Sequence, residues 1–220
     1  MILSVSRVRL LNIAIVALLA PLAASQIGGT SVAGKLQISA VANVQITLRD
    51  TDEILNGASR ILKQCDFEIS RIGVIESLPD PPRGSTILAG IVDSPTAYRY
   101  YIGQPGYVKL VTEISWCGRP GDLPLPQPVP GCAAIGFPAM LVARQENWKL
   151  FESWVWAHEY AHTRGLAHVR PEDDPKSFFF NLMRPELIYV NGQDTLAPNQ
   201  CEALRLGPQG VQTPGQNRTP

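Results

Sequence analysis

Apolar positions recur along the chain with two different periods. Residues 41–48 (VANVQITL) are apolar with partial alternation and predict a first strand. Ile54, Leu55, Ala58, Ile61 and Leu62 recur at helical spacing. They predict an amphipathic helix over residues 52–64, capped by Asp50 or Thr51. Alternation returns at residues 67–75 (FEISRIGVI), followed by a turn at 79–84 and a β-rich run at 86–92. Residues 107–116 (YVKLVTEISW) alternate best of all, and 139–143 (AMLVA) form a short last strand. Residues 146–164 then read as a long helix with Leu150, Phe151, Trp154, Val155 and Ala161 on more than one side, which predicts burial. Trp156 and Tyr160 on this helix either pack or line a cleft. This order predicts an α/β (α+β) architecture: a mixed, twisted sheet of about five strands with an early helix, a late helix and a C-terminal helix packed on it.

The two ends of the chain follow a different pattern. Residues 1–25 carry Arg7 and Arg9, then an apolar run over 10–20 broken only by Asn12, then Ala23, Ala24 and Ser25. That is the layout of a signal peptide cleaved after Ser25. The run is shorter than the ~20 residues that span a bilayer. Residues 26–40 read as a mobile leader, 41–206 as one domain, and 207–220, rich in Gly, Pro and Gln, as a disordered tail. Lys+Arg and Asp+Glu are both 19, so no basic surface for nucleic acid or a polybasic membrane patch is expected. The picture is a monomer outside the cytoplasm, secreted or periplasmic, without stable membrane insertion.

Four cysteines, an even count in an exported chain, predict two disulfides. Three connectivities are possible. Cys117 with Cys132 is preferred because the pair brackets a proline-rich loop that cannot form regular structure. Cys65 with Cys201 would then tie the early helix to a late one.

The three histidines of the chain all fall in HEYAHTRGLAH, residues 158–168. His158 and His162 are four apart and share one face of a helix. Gly165 can end that helix in a left-handed turn, so that His168 returns as a third nitrogen donor. Three imidazoles leave one position of a tetrahedral zinc ion open for water, and Glu159 beside the first ligand is the natural base for it. A zinc site kept only for structure has no use for Glu159.

This HExxHxxGxxH pattern resembles the metzincin clan of zinc metalloendopeptidases. Asn181-Leu182-Met183-Arg184-Pro185 is similar to the clan's methionine turn, and the Gly131–Gly136 run GCAAIG to secreted bacterial members. The resemblance implies a metzincin-like fold and one catalytic Zn2+ on His158, His162 and His168. It further implies Glu159 as general base, Met183 packed beneath the metal without binding it, and a protein or peptide substrate. Several departures stand beside it. Some members place a Tyr ligand two residues after the methionine, where this chain has Pro185; Tyr189 is off-pattern and reads as a packed aromatic. Cys117 opens a CGRP stretch superficially similar to a latency switch, but in the wrong place and order. Glu172, Asp173 and Asp174 read as a solvated acidic run and not as a calcium site. Phe178, Phe179 and Phe180 either line the pocket or fill the core. Two other functions fit the same residues: a zinc-binding interaction module without peptidase activity, and a hydrolase of non-peptidic amides.

Overall fold

The computed structural model describes residues 32–118, 121–172, 178–185 and 195–208. The expected signal peptide, the first residues of the expected leader, Asp173, Asp174, Tyr189 and all but the start of the expected tail lie outside the described residues.

The chain forms an α/β fold on a five-stranded mixed sheet. It opens with β1 (Val32–Leu36) and β2 (Ile38–Ala40). Next come α1 (Leu48–Leu62), β3 (Phe67–Arg71), β4 (Glu76–Ser77), β5 (Ile91–Val92) and α2 (Pro95–Ile102). Strands β6 (Val108–Val111), β7 (Glu113–Ile114), β8 (Gly131–Ala133) and β9 (Met140–Ala143) lead into α3 (Lys149–Thr163), and α4 (Pro198–Leu206) closes the described chain. The sheet order is β4-β2-β6-β9-β8. Its first four strands run parallel, while β8 at the edge is antiparallel to β9. Two parallel pairs, β1 with β3 and β5 with β7, extend it.

Strand alternation divides the core in two. Val108, Leu110, Met140 and Val142 join a cluster with α1, α3 and α4, including Ile54, Trp154 and Leu204. Val111, Leu141 and Ala143 join a second cluster with Tyr101 and Ile102 of α2. Thus α1, α3 and α4 cover one face and α2 the other. The disulfide Cys65–Cys201 pins the 3-10 turn after α1 to α4, and Cys117–Cys132 joins the end of the β7 segment to β8. Two disulfides fit a location outside the cytoplasm. Among the described residues, no helix is long and apolar enough to cross a membrane.

Several expected boundaries move. Residues 41–48 are not a strand. The chain turns after Val41, whose N–H still bonds Leu110 O, and Thr47 begins α1. Its side chain accepts the Asp50 N–H at 3.0 Å while Asp50 returns a bond to Thr47 N, a reciprocal capping box that displaces the expected cap at Asp50 or Thr51. The first strands instead lie at 32–40, in the stretch expected to be a mobile leader, with Leu36, Ile38 and Ala40 alternating into the core. Of 86–92 only Ile91 and Val92 are strand, because Gly90 turns the chain at φ +77°. The 107–116 run splits at Thr112, whose N–H bonds Gly90 O instead of a sheet neighbour. Helix α2 was not foreseen, although Ser94-Pro95 is a start signal: Ser94 Oγ accepts the Ala97 N–H and proline takes the first turn.

Candidate metal centre

Helix α3 is buried from Phe151 to Thr163. Its position beneath β8 and β9 decides which side chains reach the cleft. His158 and His162 sit one turn apart on it, both buried. The helix then ends in a reciprocal pair of bonds around Gly165 at φ +101°. Leu166 N donates to Ala161 O at 3.0 Å and Gly165 N to His162 O at 2.9 Å. This Schellman turn needs the left-handed backbone that glycine accepts readily. It returns the chain so that the exposed His168 meets the other two.

The three Nε2 atoms converge: His158 to His162 at 3.1 Å, His158 to His168 at 3.2 Å, and His162 to His168 at 3.0 Å. The far side of two rings is fixed by backbone. His158 Nδ1 donates to Leu182 O at 2.6 Å and His162 Nδ1 to Leu166 O at 2.7 Å. A carbonyl can only accept, so these Nδ1 atoms carry the proton and the two Nε2 atoms present lone pairs. Lone pairs facing each other at this distance repel unless a cation lies between them. Two imidazoles on one tetrahedral ion with bonds of ~2.0–2.1 Å would hold their nitrogens about 3.3 Å apart, close to what is seen. The donor set therefore fits a metal ion. The field agrees. Burial, then the neighbouring His162, holds His158 well below its ordinary pKa; burial, then His168, brings His162 down to about 4; burial lowers His168. All three are neutral ligands at physiological pH.

Glu159 is buried beside this cluster. Burial pushes its carboxyl up to about 8, against the pull of a hydrogen bond from the Ala133 backbone on β8. Space for it comes from Gly131: a Cβ there would lie 2.5 Å from Glu159 Cγ and Oε1. The histidines and Glu159 open into a cavity of about 260 Å³ whose other walls include β8, Leu125, Val129, Ile135 and Pro185. A larger cavity of about 710 Å³ lies elsewhere, among Lys35, Arg60, Lys63 and Lys149, and contains none of the histidines.

Met183 is fully buried in the core cluster. The turn that carries it delivers the Leu182 carbonyl to His158 and the Met183 carbonyl to Val169 N at 2.9 Å, one residue past His168. Asn181 shapes that turn by accepting Met183 N at 2.8 Å and donating to Gln200 of α4 at 2.9 Å. The carbonyls of Leu166 and Leu182, together with Gln200, are parts of the site that sequence reasoning missed; Gly131 and Ala133 lie in the GCAAIG run singled out in the sequence, but their place beside Glu159 was not read from it. Trp156 is fully buried in the core, and Tyr160 packs on Phe67 and Tyr107, so both serve packing. Phe178 is buried and Phe180 exposed. Cys117 is bonded to Cys132 and is not a free thiol.

Compared with models of protein families and with curated proteins, the sequence finds no match. What the site does is read from its own geometry.

Proposed function

We propose that the chain is a zinc-dependent endopeptidase working outside the cytoplasm, similar in mechanism to the metzincins. The observation that carries this is the pairing of three converging imidazole nitrogens with a buried carboxylate on the helix that bears two of them. Zinc suits three nitrogen donors with one open position. When bound, it supplies a Lewis acid that polarises a carbonyl and acidifies a water molecule. The remaining work falls to the chain. His158, His162 and His168 hold the ion, and the Leu182 and Leu166 carbonyls keep His158 and His162 in the right tautomer. Glu159 accepts a proton from the water and returns it to the departing amine. A dication beside Glu159 favours the charged carboxylate that this role requires. Met183 is assigned to the apolar floor below the ligands. Strand β8 lies at the sheet edge, and its residues line the cavity, so an extended peptide can pair along it.

Glu159→Gln is expected to retain one zinc per chain and to lose nearly all cleavage of a diverse peptide pool. His162→Ala should lose zinc and cleavage together. Elemental analysis alongside the digest reads both. Absence of zinc uptake by the parent overturns the metal assignment. Uptake without cleavage of any peptide leaves a zinc-binding module or a hydrolase of small amides, which a panel of non-peptidic amides separates. Near-parental cleavage by Glu159→Gln removes the general base.

A further inference from the structure

One wall of the cleft comes from outside the histidine motif. Residues 121–130 read GDLPLPQPVP, with proline at 124, 126, 128 and 130. Proline fixes the backbone and removes donors, so such a segment is stiff but cannot build a sheet. Here it is fastened at several points. Trp116, itself buried, donates its indole N–H to Asp122 O at 3.2 Å. Leu125 N bonds Ser115 O and Val129 N bonds Ile114 O, both at 2.8 Å, and Pro130 O accepts Ala143 N at 2.9 Å. The Cys117–Cys132 disulfide closes the loop onto β8. Leu125 and Val129 are thereby held against the cavity that contains the histidines and Glu159. Ile135 lines the same cavity, and the backbone next to it is anchored by the Gly136 N–H bond to His162 O at 2.8 Å.

We propose that this clamped proline-rich wall selects the substrate: Leu125 and Val129, together with Ile135, receive an aliphatic side chain flanking the scissile bond. The inference rests on the peptidase reading above and adds the class of peptide it prefers. The chemistry of the walls supports it. Among the described residues, the lining apart from Glu159 and the histidines offers no charged side chain, so a charged substrate group meets no counter-charge from them there. The size agrees in that a cavity of about 260 Å³ is large enough for an aliphatic side chain. A wall fixed before binding needs no ordering when the substrate arrives.

The test uses the zinc-loaded mature chain and a pool of peptides whose cut sites are read by mass spectrometry. Aliphatic residues are expected to dominate one position flanking the cut. Leu125→Ala should lower kcat/KM for a leucine-bearing peptide about tenfold, and leave a matched glycine peptide within about twofold. Val129→Phe, which fills the same space, should shift the preference toward alanine and glycine. Both are compared at equal zinc content. Cutting without preference at either flanking position, or an unchanged preference in both variants, overturns the wall while leaving the peptidase reading intact. A parent that binds zinc but cuts no peptide overturns the peptidase reading, and the wall falls with it.

Discussion

Helices α1 and α3 are each 15 residues long, cover the same face of the sheet and pack against one another. They solve the problem of polar residues in opposite ways. Helix α1 is amphipathic: Ile54, Leu55, Ala58 and Leu62 are buried, and Arg49, Asp52, Glu53 and Arg60 meet water. Helix α3 buries Glu152, His158, Glu159 and His162 along with its aromatics. A polar group taken out of water needs a partner, or its burial works against folding. The buried polar groups of α3 are met by Arg144 for Glu152, backbone carbonyls for His158 and His162, and the Ala133 N–H for Glu159. Helix α1 keeps its charge outside, whereas the helix that carries the candidate metal site buries polar groups and depends on neighbouring elements to hold them.

The largest effect should come from breaking one of those partnerships away from the metal. Glu152 and Arg144 form an ion pair with side chains 0% and 8% exposed. Burial pushes the Glu152 carboxyl up, and Arg144, the Gln145 N–H and the Trp156 indole hold it down. Glu152→Ala strands the Arg144 guanidinium and is expected to cost about 3–5 kcal/mol, whereas replacing both by apolar residues of similar volume should recover most of that. Urea denaturation of the zinc-loaded protein measures both. If the single variant melts with the parent, the pair is not what allows α3 to sink into the core.

Gly131→Ala tests the same dependence at the histidine-bearing end of α3. The added methyl would meet Glu159 Cγ and Oε1 and push the carboxylate from its place. The atoms nearest the added methyl all belong to Glu159 and none to a histidine, so zinc content should stay at the parent level. A displacement on the order of 1 Å typically costs about 100-fold in turnover, and kcat against the peptide pool should fall by that much. Parental kcat would mean that β8 does not position Glu159.

The same contrast explains what could be read from the sequence. Helix α1 was legible because amphipathic spacing is a local signal, although Thr47 takes the cap through its box with Asp50. Helix α3 lacks a clean apolar stripe. Its site was legible only because the spacing of His158, His162, Gly165 and His168 follows from helix geometry and a glycine turn. The carbonyls of Leu166 and Leu182 and the N–H of Ala133 left no trace, because backbone groups have no side-chain identity. Tertiary pairing decides where they point. Strands β1 and β2 escaped for a related reason. Leu36, Ile38 and Ala40 do alternate with Gln37 and Ser39, but the run is only five residues long behind the small Ala33-Gly34, and pairing with β3 and β6 is what makes it a strand.

The smallest effect should come from the ion pairs that α1 leaves in water. Lys149, the first residue of α3, reaches Asp50 at 2.7 Å and Glu53 at 2.6 Å, and Arg49 adds a further contact to Glu53 at 2.9 Å. The Lys149 bond, then Thr47, holds the Asp50 carboxyl well below the usual carboxylate range; Lys149, then Arg49, lowers Glu53; and Asp50, then Glu53, raises Lys149. The signs fix the pH window. The depressed carboxylates stabilise the fold above their ordinary pKa values of about 4, and lose that effect as acid protonates them in the folded state. The raised lysine gives its share below about pH 10 and loses it in stronger alkali. The contribution is therefore flat between these limits. All the groups are solvent-accessible, so removing the lysine returns two carboxylates to water and strands nothing. Lys149→Met should lower the melting temperature by only a small fraction of the Glu152→Ala shift. The difference from the parent should fade below about pH 4 and vanish in 1 M salt, where the screening length is about 3 Å. A Lys149→Met variant as unstable as Glu152→Ala, and equally so in 1 M salt, would show that the seam between α1 and α3 depends on this lysine and that exposure does not separate the two helices.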